Sequence, residues 1–253
     1  MDDVIVGLFV GAGIGLTLGL MGAGGSILTV PALLFIADLS SQEAAGTSLI
    51  VVGGAALMGA TIHYRAGRSS LNTGITLGAT GIGGAVLGSW LHSLASEEMV
   101  LLVLAVLITA SASVIVLRIP RAGEGVLDIP HRWPKMVASG TALGILTGFF
   151  GIGGGFLIIP VLVLILGLPM RLAVGTSLIV ITINATAGLI GHVGFGEVRL
   201  GEGAPLLGGA VIGTFFGTRL VGRFNEKVLR GGFAALLYSV AGLIAYRGFS
   251  DLL

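Results

Sequence analysis

Two short glycine clusters hold the residues best suited to chemistry: Gly22-Ala23-Gly24-Gly25-Ser26 and Gly151-Ile152-Gly153-Gly154-Gly155. Each precedes a short apolar run that contains or meets a proline, Pro31 or Pro160. A helix starting at such a cluster leaves its first N–H groups without intrahelical partners and carries positive partial charge at that end. Backbone ends of this kind hold anions without any buried lysine or arginine. Gly22, Gly24, Gly25 and Ser26, with Gly151, Gly153, Gly154 and Gly155, are therefore candidate contacts for a small anion. The same glycines also fit a plainer role, in which they only let helices approach closely.

Hydroxyl, amide and imidazole groups recur near these clusters. Thr47-Ser48 and Thr176-Ser177 open the apolar runs 44–64 and 173–193. Their hydroxyls either donate to an anion or bond back to carbonyls of their own helix. Asn184 lies near the middle of the second of these runs, where a side-chain amide needs a partner, either a substrate or a neighbouring helix. His63 and His192 end the same two runs. They are candidates for gating or proton coupling, or else interfacial histidines reaching lipid headgroups.

What is missing narrows the chemistry. The chain has no cysteine, so disulfides and thiolate sites are excluded. No Asp or Glu falls inside a central apolar run, which removes the carboxylate relays common in ion-coupled carriers. No nucleophile is paired with a base, no nucleotide loop follows the glycines, and no metal or cofactor is implied. The expected partners are a small anionic substrate and the lipid bilayer, not nucleic acid, and a homo-oligomer is compatible with the sequence.

The elements that position these residues come in two copies. Displacing the sequence by 129 positions aligns residues 21–31, MGAGGSILTVP, with 150–160, FGIGGGFLIIP. The same shift aligns AAGTSLIV (44–51) with AVGTSLIV (173–180), identical at seven of eight positions, and His63 with His192. Shared composition alone does not reproduce the paired prolines and histidines, so the chain is a duplication. The first repeat spans 1–118, with apolar runs at 4–21, 26–37, 44–64, 73–94 and 99–118. A linker at 119–135, with Pro120, Pro130 and Pro134 among mixed charges, reads as a solvated loop. The second repeat spans 136–253, with runs at 136–150, 155–168, 173–193, 204–222 and 227–247.

Charged residues make up 10% of the chain and hydrophobic residues 55%, with 45 glycines and a mean hydropathy of +1.06. Soluble proteins carry about 25% charged residues, so this composition belongs in a membrane. A run of about 20 residues spans the roughly 30 Å hydrocarbon layer, while the second run of each half reaches only about 18 Å and reads as a broken or re-entrant helix. Met1-Asp2-Asp3 lacks the basic flank of a cleavable signal, so the first run is expected to be retained. Stripes of glycine every fourth residue (Gly7, Gly11, Gly15, Gly19; Gly140, Gly144, Gly148; Gly209, Gly213, Gly217) read as helix-packing faces.

If each half crosses the membrane an odd number of times, 11 of the 13 Lys and Arg fall on one side. The positive-inside rule makes that side cytoplasmic. The halves are then inverted, the linker is cytoplasmic and both termini are not. The expected fold is an all-α membrane protein of two inverted five-segment repeats, with short broken helices at the glycine clusters.

The segments GLMGAGGSILTVP and AAGTSLIV, with GFFGIGGGFLIIP and AVGTSLIV, resemble the sulfite exporter TauE/SafE family of membrane transporters, over about residues 5 to 247. The resemblance implies a multi-pass inner-membrane protein that moves sulfite, sulfoacetate or another organosulfonate. It does not fix the substrate or the direction of transport. A passive anion channel and a non-transporting scaffold are the alternatives, and an intramembrane enzyme is not expected.

Overall fold

The structure is a computed structural model, and it describes residues 2–92, 103, 106–113, 129–150, 155–193 and 198–250. The described residues are helical apart from their connections. In chain order the helices are α1 (Asp2–Met21), α2 (Gly24–Phe35), α3 (Ser41–Arg65), α4 (Leu71–His92), α5 (106–113), α6 (Ile129–Phe150), α7 (Gly155–Pro160), α8 (Met170–Val193), α9 (Leu200–Leu220) and α10 (Glu226–Ser250). A π-helical turn, Val161–Ile165, continues α7. These follow the apolar runs closely at most boundaries. One boundary moves: α6 begins at Ile129, so the end of the segment read as loop is helical, with Pro130 in the first turn where its missing N–H costs little. The rest of the linker, 119–128, lies outside the described residues.

Among the described residues, three helices are long and apolar enough to cross a membrane, at Val4–Met21, Glu43–Arg65 and Met170–Leu189. A shorter apolar stretch lies at Gly25–Leu34. The surface is what a lipid-facing bundle requires. Phe9, Leu57, Trp90, Ile212 and Phe216 point outward, while Thr29, Thr47, His63, Thr176, Ser177, Thr214 and Thr218 are buried. Large apolar side chains thus face outward as well as inward, and small polar ones are tucked inside, as expected where the solvent is hydrocarbon.

Corresponding local structures recur at the 129-residue offset. The short segments both end by reversing through the left-handed region, at Asp38 (φ 51°) and Gly167 (φ 66°). Each turn is closed by a matching bond, Leu39 N–H to the Leu33 carbonyl (3.3 Å) and Leu168 N–H to the Leu162 carbonyl (2.9 Å). They differ inside: α2 carries Pro31 within one continuous helix, whereas after Pro160 the chain widens into the π turn, closed by Leu166 N–H to Val161 O at 3.1 Å.

Helix packing is exchanged between the halves. The first helix of each half lies on the fourth of the other: α1 on α9, and α6 on α4. Gly11 and Gly15 of α1 abut the backbone at Leu206 and Ala210, and Gly209 and Gly213 of α9 abut it at Leu8 and Ala12. Numbers rise together, so these two helices are parallel. Gly140 and Gly144 of α6 meet Leu77 and Gly81 of α4 in the same sense, and the surroundings of Gly148 lie outside those described. The corresponding helices α3 and α8 pack on each other in opposite directions, with Leu49 by Gly188, Gly53 by Ala185, Leu178 by Gly59 and His63 by Gly175.

Candidate functional site

α1 stops because Gly22 takes a left-handed conformation (φ 75°), with its N–H bonded to the Leu18 carbonyl at 2.7 Å. Few other residues tolerate that turn. Ala23 then stands as the N-cap of α2, and no side chain caps the helix. The first amides of α2 therefore have no side-chain cap. Gly22 itself fits against the Val174 backbone and the Ser177 hydroxyl of α8.

The start of α7 lies against this same break. An added Cβ at Gly155 would sit 2.5 Å from Ser26 Oγ, 3.4 Å from the Ala23 carbonyl oxygen and 3.4 Å from Ile181. Ser26 and Gly155 occupy the same position in the two repeats, so corresponding points of the two short helices touch. The clusters differ at Ala23/Ile152 and Ser26/Gly155, and the second difference has a steric reason: a single hydroxyl fills the crossing, and glycine opposite leaves room for it. Ser26 is buried and its hydroxyl donates to the Ala23 carbonyl at 2.8 Å, which leaves its lone pairs available. Gly25 faces α1, against Ile14 and Leu18, and is a packing position. Gly151, Gly153 and Gly154 lie outside the described residues.

The four hydroxyl positions divide by role. Thr176 Oγ1 accepts the Ser70 N–H at 2.9 Å, and Thr47 Oγ1 accepts the Arg199 N–H at 3.0 Å. Each threonine therefore secures the chain entering the fourth helix of the other half. Ser48 and Ser177 bond back to the Ala45 and Val174 carbonyls, at 2.7 and 2.8 Å. Ser177 also touches the first glycine break, at Gly22. The threonine bonds support a direct test. Replacing Thr47 or Thr176 with valine keeps shape but strands a backbone N–H, and each is expected to cost about 1–3 kcal/mol. Thermal unfolding of the detergent-solubilised protein measures this; equal stability would dismiss the strapping role.

Asn184 faces α4, with its amide 3.6 to 3.8 Å from an added Cβ at Gly81, and its buried Oδ1 has no hydrogen-bond partner. His63 is fully buried between α1 and α8: it lies beside the Gly19 backbone and against Gly175, and neither ring nitrogen has a hydrogen bond within normal limits. His192 is the penultimate residue of α8, and its side-chain surroundings are outside those described. Val174 and Ile181, invisible as site residues in an apolar run, line the break from α8. A separate open, mostly apolar groove of about 620 Å³ lies between α5 and α10, beside Val106, Thr109 and Tyr238. Among the described residues no group of acidic residues and histidines could hold a metal.

Comparison with known proteins points to a membrane transporter family. The family profile described as "Sulfite exporter TauE/SafE" matches residues 7–244. A "Probable membrane transporter protein" of Xylella fastidiosa (strain 9a5c) is 30% identical over 267 aligned positions, covering 100% of this chain and 98% of the relative. "Probable membrane transporter protein YdhB" of Bacillus subtilis (strain 168) is 29% identical, covering 91% and 95%. "Probable membrane transporter protein MJ0441" of Methanocaldococcus jannaschii is 25% identical, covering 94% and 92%. No solved structure matches. With apolar spanning helices, small residues at their contacts and a profile match over nearly its full length, this chain is a multi-pass membrane protein that belongs to the sulfite exporter TauE/SafE family of membrane transporters.

Proposed function

We propose that the protein is a secondary transporter that carries a small sulfur-containing oxyanion, such as sulfite, sulfoacetate or another organosulfonate, across the inner membrane. The observation that carries this reading is the meeting of the uncapped start of α2 with the start of α7 at Ser26 and Gly155. Two helix ends brought to one buried point suit a sulfonate or sulfite headgroup, whose oxygens accept hydrogen bonds from several directions. Binding by backbone dipoles lets the anion leave again, because no buried cation traps it. The antiparallel packing of α3 on α8 supports inverted repeats, since corresponding helices oppose each other only when one half is turned over. Alternating access then follows from rocking one set of helices against the other around the crossing. In this reading the buried His63 serves in gating or proton coupling, with His192 as its counterpart.

Flux of radiolabelled sulfite and sulfoacetate into proteoliposomes tests the reading. A carrier saturates and shows exchange with trans substrate; a passive channel gives current proportional to the gradient, and a scaffold moves nothing. Orientation has its own check. A cysteine placed at Arg121 is expected to react with an impermeant maleimide only from the cytoplasmic side, with linker inside and both termini outside. Labelling from outside alone would reverse the topology.

A further inference from the structure

The two mouths of the proposed pathway are charged differently, and the difference breaks the duplication. Where the loop between α8 and α9 meets the start of α3, Arg199 is tied to Glu43: its Nε donates to Oε1 at 2.7 Å and its Nη2 lies 2.5 Å from the same oxygen. That mouth is internally neutralised. At the opposite mouth, the loop between α3 and α4 lays the Arg68 backbone against Gly175, about one helical turn beyond Arg171 at the start of α8. No carboxylate among the described residues pairs with either. The corresponding position to Arg68 in the second repeat is Glu197, and to Arg171 it is Gln42.

The backbone fixes this arrangement. α3 ends with Gly67 in the left-handed region (φ 65°), and Arg68 N–H returns to the His63 carbonyl at 2.8 Å. Gly175 abuts the Arg68 carbonyl, and Thr176 holds Ser70, so residues 68–70 lie across α8. Arg171 is steadied by one bond from Nη2 to the Phe224 carbonyl at 2.7 Å. Arg68 Nε and Ser69 Oγ are buried and lack hydrogen-bond partners. Burial and then the charge of Arg171 depress the Arg68 guanidinium below its ordinary value, which marks the pair as mutually repelling. Two repelling guanidiniums held together by backbone, with a donor unused, are stabilised by an anion between them.

We propose that Arg68 and Arg171, with Ser69, form a second oxyanion subsite at the arginine-rich mouth only, an outer station for the anion one step from His63 and the glycine break. This rests on the transport reading for its cargo but not for its binding chemistry. A free sulfonate or sulfate and a lipid phosphate present the same oxygens, so the test separates them.

The experiment uses the full-length protein in neutral detergent, with thermal unfolding followed against sodium sulfate, sulfite or methanesulfonate and chloride as control. A parallel arm uses nanodiscs of phosphatidylcholine with or without phosphatidylglycerol. The variants are R68Q, the conservative R68K, and R65Q, which removes one exposed charge from the same face without touching the pair. Losing a charge-assisted contact is expected to weaken oxyanion stabilisation roughly tenfold in R68Q, with partial retention in R68K and none lost in R65Q. In proteoliposomes R68Q is expected to raise the half-saturating concentration from the arginine-rich side and leave the other side unchanged. Arg68-dependent stabilisation by phosphatidylglycerol but by no free anion would assign the subsite to lipid and overturn the station. Equal losses in R68Q and R65Q, or none in either, would overturn the subsite itself. Absent flux with intact Arg68-dependent binding would sink the transport reading alone.

Discussion

Replacing Gly155 with leucine is expected to abolish anion transport while the protein still inserts in the membrane. A side chain there meets Ser26 Oγ at its first carbon and Ile181 beyond it, so α2 and α7 must part. Overpacking of this kind costs about 1–3 kcal/mol. Loaded onto the bound state, that is roughly a tenfold to hundredfold loss of affinity, before the added bulk screens the amides of α2. Gly155→Ser discriminates more finely, because it places two hydroxyls where the crossing holds one. It is expected to impair transport, and the exchange Ser26→Gly with Gly155→Ser is expected to restore much of it, since one hydroxyl again fills the space. Saturation kinetics in proteoliposomes, normalised to monodisperse protein, measure all three. Normal transport by Gly155→Leu would remove the crossing from the pathway. Leucine at Gly25 is a poorer probe, because that position packs on Ile14 and Leu18 of α1 and the variant would fail by misfolding.

The sequence is unusually open where duplication makes it check itself. The offset of 129 anticipates paired helices, and the structure adds corresponding turns at Asp38 and Gly167 that no propensity scale would match. The glycine stripes announce close contacts, and the contacts exist. Their partners, however, were not legible. A stripe at Gly7, Gly11, Gly15 and Gly19 states that a backbone will come near but not whose, and here it belongs to the other half. The threonine straps are hidden for a related reason. Thr47 and Arg199 are 152 residues apart, so nothing local distinguishes a hydroxyl that straps a distant loop from one that waits for a ligand. The difference between Pro31 and Pro160 was equally hidden. Both break the pattern of a short apolar run, yet only the second opens a π turn, because the surrounding packing and not the proline decides which carbonyl the next amides reach. At Arg68 the signal is local: opposite Glu197, it is a point where the repeats reverse charge.

The strongest effect on stability is expected from leucine at Gly15. In lipid, helices gain little from burying apolar surface against each other, and their association depends on close van der Waals fit. At Gly15 an added Cβ would overlap the Ala210 carbonyl, with the carbonyl carbon at 2.6 Å and the Ala210 Cα at 2.7 Å. Those atoms are backbone and cannot rotate away, so α1 must lift from α9 along its length. A cost of about 3 kcal/mol or more follows, enough to shift most of the protein from monodisperse to aggregated on size exclusion. The neighbouring face supplies the control. Gly13 has nothing within 4 Å of an added Cβ and points outward, so Gly13→Leu is expected to change stability by no more than about 0.5 kcal/mol. The duplication then extends the test to the other half. Gly144 stands 129 residues after Gly15 and abuts the Gly81 carbonyl in α4, so Gly144→Leu is expected to match Gly15→Leu in size. A large loss at one position and none at the other would mean that the two exchanged contacts are not equivalent, and the case for inverted halves rocking around a shared crossing would lose its mechanical basis.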